Sequence, residues 1–176
     1  MSRAFVKEPD GDAAGDVPPE RAPSPHPNYM TPGGAQRLAE KVQDLRARRD
    51  ELAKNKDADL KSTDELKQIE RELRYLDQVL QRAIVIDSHQ QAHADVRFGA
   101  AVTVVDEQSQ THTFTIVGEE ETCAPKGYIS WVSPLAKSLL GRRVGDVVLW
   151  ERPAGNVQLE ITAIHYPDLS QPPSHE

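Results

Sequence analysis

The sequence predicts an α+β protein: an N-terminal antiparallel coiled-coil hairpin followed by an antiparallel β-sheet domain with one short helix. Three observations predict it. Leu66, Ile69, Leu73, Leu76, Leu80 and Ala83 recur at spacings of 3, 4, 3, 4 and 3, the heptad seam of a helix packed on another helix. From about residue 100 the period drops to two, in "AAVTVVDE" and "THTFTIVG", and their Val, Thr and Ile content is that of strands. Between two helical stretches lies "KDADLKSTDE", residues 56–65, a short and densely charged run that reads as the turn where the helices fold back.

Taken in order, residues 1–28 read as a tail. "PDGDAAGDVPPERAPSPHPN" is rich in Pro, Gly and Asp and has too little apolar surface to offset the entropy of ordering it, so about 8–28 are expected to be disordered. Residues 29–87 form the hairpin. Thr31 is a capping hydroxyl and Pro32 suits the first helical position, while Gly33 and Gly34 weaken that turn. Leu38, Val42, Leu45 and Leu52 make the first apolar stripe, with Arg49 at its one missing position. Ser62 and Glu65 have capping-box spacing, which starts the second helix near Thr63. Residues 88–94 are a linker, with Ile84, Val85 and Ile86 expected to pack where the two parts meet.

Residues 95–167 hold the sheet domain. "YISWVS" is a third strand. "SPLAKSLLG" is a short helix, capped by Ser133, led by Pro134 and ended by Gly141. "GDVVLWERPAGNVQLEITAIHY" gives two more strands around "PAGN". The order is β-β-β-α-β-β. Residues 168–176 are a second loose tail.

Composition excludes several classes of function. Aromatics are 5% and charged residues 28% of 176 residues, which argues against one large core. The net charge of −7 argues against avid independent binding to DNA or RNA. Cys123 is the one cysteine, so no internal disulfide is expected, as suits a reducing cytoplasm. The first residues lack a signal peptide's apolar run, and no stretch approaches the ~18 apolar residues of a membrane span. No phosphate loop, nucleophile triad or zinc spacing is present, and His89 and His93, four apart, stand in the linker. No catalytic group of its own is expected. An isomerase would need a concave aromatic pocket, and Phe98, Phe114, Tyr128, Trp131, Trp150 and Tyr166 are scattered.

The candidate functional residues are charged. Asp57, Asp59, Asp64 and Glu65 crowd the far end of the hairpin, either as a solvated turn or as a probe. Asp64 and Glu65 also suit a helix N-terminus. Arg46, Arg48 and Arg49 form a basic cluster that either faces RNA or is simply solvated. Glu119, Glu120 and Glu121 lie in a loop where acids can meet a basic partner.

Several motifs carry a resemblance. Phe98-Gly99 precedes a strand, Ile116-Val117-Gly118 is followed by acids, Ser133-Pro134 leads to Leu139-Gly141, Gly145-Asp146 follows, and a last strand ends at Tyr166. With "YMTPGGAQRL" and "AIVID", these resemble the bacterial Gre-type transcription elongation factors over roughly residues 29–167. The resemblance implies an FKBP-like C-terminal domain that grips RNA polymerase, with Glu119, Glu120, Glu121, Ser133 and Pro134 as its contacts. It also implies a coiled-coil arm inserted in the secondary channel. In the family two acids at the tip, in a Gly-Asp-Leu-Lys-Glu-Asn-like stretch, share a Mg²⁺ with the polymerase and promote cleavage of backtracked RNA. Here the stretch reads Ala58-Asp59-Leu60-Lys61-Ser62-Thr63, so Asp59 is the candidate metal ligand and Ser62 replaces the second acid. The hairpin is about thirteen residues shorter than the family's, near one heptad per helix or ~10 Å of reach. The implied partner is RNA polymerase, with nascent RNA met only inside that complex, and the implied state is a monomer. Three functions follow: a cleavage-assisting elongation factor, a non-cleaving regulator or inhibitor in the same channel, or an FKBP-like peptidyl-prolyl isomerase or chaperone.

Overall fold

The computed structural model describes residues 21–54, 60–91 and 93–170. The chain enters through strand β1 (Asn28–Met30) and the long helix α1 (Pro32–Lys54). Helix α2 (Leu60–Gln81) follows, then strand β2 (Ala83–Val85). The two helices share one apolar cluster. Leu38 and Val42 of α1 meet Ile69, Leu73, Leu76 and Val79 of α2, and Leu45, Leu52 and Leu80 flank them half-buried. The heptad positions therefore do bury, and they do so against the other helix. Thr31 caps α1 as expected: its hydroxyl oxygen accepts from the Gly34 amide at 3.0 Å, and Pro32 opens the helix.

Strands β3 (Ala101–Asp106), β4 (Thr111–Val117), β5 (Tyr128–Ser130), β6 (Val147–Trp150) and β7 (Val157–His165) form one sheet in the order β5-β4-β3-β7-β6. Helix α3 (Pro134–Leu139) covers one face. Leu135, Ala136 and Leu139 of α3 pack there on Val102, Val104, Ile116, Val148, Leu159 and Ile161. Along β3 and the first half of β7 the buried residues alternate, so the period of two buries one face there. The Ser133 side chain accepts from the Ala136 amide at 3.2 Å, which starts α3 where the sequence places it.

Four expectations are corrected. The sheet is mixed, because β5 runs parallel to β4 while the other neighbours are antiparallel. Helix α2 begins at Leu60, so Ser62 lies inside the helix. Ile84 and Val85 are half-exposed; β2 joins the body through its backbone, parallel to β1. The ends are seated more than expected. Within the first tail, Arg21 and His26 rest on Tyr75 and Trp131. In the second, the Leu169 carbonyl accepts from the Gly33 amide at 2.8 Å. Residues 1–20 of the first tail and 171–176 of the second lie outside the described residues.

The helices meet the sheet domain at one buried carboxylate. Glu121, 7% exposed, sits in a 3-10 turn (Glu119–Glu121) directly after β4. It accepts from the Thr31 amide at 3.0 Å, from the Thr31 hydroxyl, and from the Gly118 amide at 3.1 Å. Arg37 adds a cation at 3.7 Å. The close approach requires two glycines. A Cβ on Gly34 would stand 2.0 Å from Glu121 Oε1, and one on Gly118 would stand 2.4 Å from the Tyr29 carbonyl oxygen. The glycine that weakens α1 by propensity is the opening through which Glu121 reaches its cap.

Two outcomes test this architecture. Leu73→Asp should abolish the helix–helix seam at a cost of about 3 kcal/mol or more, since a carboxylate would be buried without a partner. Circular dichroism should show lost helix with the sheet domain still folded; unchanged helix content and melting would refute the shared seam. Gly34→Ala, although alanine is favoured in helices by about 1 kcal/mol, should lower the urea midpoint by about 1–3 kcal/mol in stability because Glu121 has to move. A neutral or stabilising result would show that Glu121 does not hold the junction.

Candidate functional site

The sequence candidates fall in three places. At the far end of the helices, Asp57 and Asp59 lie outside the described residues. Asp64 and Glu65 stand in the second turn of α2, exposed and half-buried respectively. Glu65 Oε1 receives the Arg48 guanidinium at 3.1 Å across to α1, and Asp64 lies 3.8 Å from Lys67. These two carboxylates are committed to neighbouring cations. Among the described residues no group of three or more His, Cys, Asp or Glu could hold a metal ion.

The arginines are paired along the helices. Arg46 donates to Asp77 at 2.8 Å, Arg48 contacts Glu65, and Arg49 donates to its neighbour Asp50 at 2.7 Å. Lys41–Glu72 at 2.6 Å makes another link between α1 and α2. Such exposed pairs contribute little energy each, and the three arginine side chains remain 39–53% exposed on the flank of the helices.

The third place is the base, where the structure separates three acids that look alike in sequence. Glu121 is spent in the junction, so the expectation that it faces a partner is corrected: its oxygens are saturated and it is buried. Glu120 stands beside it at the edge. It accepts from the Tyr75 hydroxyl and pairs with Arg21 at 3.1 Å. Burial first, then the hydrogen bond and charge of Glu120, push the Tyr75 phenol up to about 12, against the opposing charge of Arg21. Glu119 lines the same cavity, about 170 Å³, with Arg21, His26 and Arg82. Around the corner Arg37, Glu120, Cys123, Lys126 and Tyr128 line a wider groove of about 380 Å³. Ser133 is half-buried and Pro134 exposed at the start of α3. Trp131, two residues earlier, packs on Tyr29 at 4.8 Å.

The base thus presents an exposed Pro134, a half-buried Trp131 and acids at Glu119 and Glu120, all on a rigid sheet domain. Nothing in this set is a nucleophile–base pair. The arrangement suits protein docking: an apolar ring for packing, and carboxylates for a basic side chain. Sequence reasoning missed Tyr75, Trp131 and Arg21 as members of this surface. Tyr75 could have been found, because it is the aromatic residue that falls off the heptad seam of α2.

The comparisons with known proteins bear on the same region. Residues 91–166 match the family model described as transcription elongation factor, GreA/GreB, C-term. A transcription elongation factor GreA of Nautilia profundicola is 37% identical over 158 residues, covering 82% of this chain and 98% of the relative. A transcription elongation factor GreB of Neisseria meningitidis is 31% identical over 153 residues, covering 79% of this chain and 94% of the relative. Since 82% of 176 residues is about 144, the 158-position match leaves about 14 positions of the Nautilia protein without a counterpart here. Among solved structures, GreA factor homolog 1 (Gfh1) of Thermus thermophilus is 25% identical, covers 80% of this chain and 99% of its own, and superposes with a TM-score of 0.37, too low to carry weight. The match over nearly the whole length of the curated relatives is what decides the family: the chain belongs to the GreA/GreB transcription elongation factors.

Proposed function

We propose that this protein binds RNA polymerase through its sheet domain, inserts its helical arm into the secondary channel, and modulates elongation chiefly by occupying that channel. The observation that carries this reading is the rigid junction. Two long helices are locked to a sheet domain that carries the family's signature, and α1 alone, with 23 residues, is about 34 Å long. In this reading α1 and α2 are an antiparallel coiled-coil hairpin over residues 29–87, and residues 95–167 are an FKBP-like anchor. The anchor's contacts are Glu119, Glu120, Trp131, Ser133 and Pro134. The protein works in the cytoplasm as a monomer, holds no cofactor of its own, and supplies no catalytic group.

The arm's end distinguishes a cleaving from a non-cleaving member. Ser62 replaces an acid, Glu65 is held by Arg48, and the chain is about 14 residues shorter than the Nautilia relative within the matched span. A shorter arm does not bring a carboxylate to the ~2.1 Å that Mg²⁺ requires, but it still fills the channel. Its acids act on incoming phosphates over roughly one Debye length, ~8 Å.

Stalled elongation complexes provide the test. Adding the protein to backtracked complexes should change pausing and elongation while releasing little 3′ RNA fragment. Asp57→Ala/Asp59→Ala should alter elongation more than polymerase binding. Rapid cleavage abolished by Asp59→Ala would replace the occupancy reading with full cleavage assistance. Failure of the intact protein to bind polymerase would reject the function itself.

A further inference from the structure

The segment before β1 lies across the surface assigned above to polymerase docking. Residues 21–27 contain Pro23, Pro25 and Pro27 and form no helix or strand. The Pro27 carbonyl accepts from the Tyr29 amide at 3.0 Å, at the entry to β1. Ahead of it Pro23 and Ser24 are half-buried, and two side-chain contacts with the body stand out. The Arg21 guanidinium stacks 4.3 Å from the Tyr75 ring centre and pairs with Glu120 at 3.1 Å. The His26 ring meets Trp131 edge-on at 6.1 Å.

These two contacts fall on the two halves of the docking surface. Tyr75 and Glu120 are the acidic half, and Trp131 beside Ser133-Pro134 is the apolar half. The fit is also incomplete. The Arg21 side chain is 69% exposed while that of Glu120 is 19% exposed, so the cation sits on top of the carboxylate. A cavity of about 170 Å³ remains between Arg21, His26, Tyr75 and Glu120. Trp131, the platform under His26, has an Nε1–H that no described protein group accepts. The seat is thus open and held by exposed contacts that are individually weak.

We propose that residues 21–26 are an autoinhibitory strap, in which Arg21 occupies in cis the Tyr75–Glu120 seat that receives an arginine or lysine side chain of the polymerase. The inference rests on the polymerase reading above and adds to it the chemistry of the partner group and a device that regulates access. An aromatic face beside a carboxylate selects a cation through ring stacking and charge together. Arg21, tethered next to the seat, competes at high effective concentration although its contacts are weak.

The experiment compares the intact chain with Arg21→Ala, Arg21→Lys and Arg21→Ala/His26→Ala in titrations against core RNA polymerase, with circular dichroism to show that all are folded. The double variant should bind about three- to tenfold more tightly, the scale set by one exposed cation–π contact and one exposed ion pair. Arg21→Lys should stay near the parent. Glu120→Gln should weaken binding in both the parent and the double variant, because it removes the seat itself. Equal binding by parent and double variant would overturn the strap and leave the polymerase reading intact. Weaker binding by Arg21→Ala would also overturn it, making Arg21 part of the docking surface. No binding by any form would reject the polymerase reading, and the partner assigned to this seat with it.

Discussion

Glu121 accepts hydrogen bonds from donors on two parts of the chain, Thr31 before α1 and Gly118 after β4, and the direction of the arm follows from it. A buried carboxylate is tolerated only where its oxygens are satisfied. Here that means one position, reached through gaps left by two residues with no Cβ. Apolar packing, here Tyr29 on Trp131 and Phe98, tolerates sliding when it acts alone. A charged group with one satisfied geometry supplies the definition that packing does not. The smaller ties around it act in the same sense: the β1–β2 ladder, the Asn28 amide donating to the Val79 carbonyl at 2.7 Å, and the Gly33–Leu169 bond.

The precision matters because the arm is a lever. With about 34 Å of helix beyond the junction, a tilt of about 10° at Glu121 displaces the far end by ~6 Å. Any function that depends on where that end sits is therefore set at the base, among residues far from it. This gives the junction glycines a functional meaning beyond stability.

The parts of the fold that were legible in the sequence are those whose signal is local and periodic. The Leu66–Leu80 seam, the Thr31-Pro32 start, the Ser133 cap and the five strands of the sheet all stand where the pattern puts them. What was not legible depends on partners distant in the chain. β1 and β2 are three residues each, too short for a period to show, and pair across more than fifty intervening residues. The parallel direction of β5 leaves no mark, because burial alternates alike in either direction. The run Glu119–Glu121 reads as one solvated acidic loop, yet one member is buried, one is shared between Tyr75 and Arg21, and one lines an open cavity. Only Gly34 and Gly118, whose need was not apparent before Glu121 was placed, mark the difference. Residues 21–28 misled in the opposite sense. Their low apolar content was correctly read, but a cation on a ring and one ring on another seat a segment without apolar burial.

The distribution of burial along the arm also decides which end yields first. Leu38, Val42, Leu76 and Val79 are buried near the base and Ile69 and Leu73 midway along α2, whereas Leu52 and Leu66, nearest the far end, are half-buried. Toward the far end the links are exposed ion pairs such as Arg48–Glu65, which are worth tenths of a kcal/mol up to about 1. Local opening free energy falls as buried apolar contact falls, so the helices separate from the turn inward while the base holds. The junction therefore keeps its geometry while the far end of the helices opens, because the hydrogen bonds that hold Glu121 lie at the opposite end of the helices.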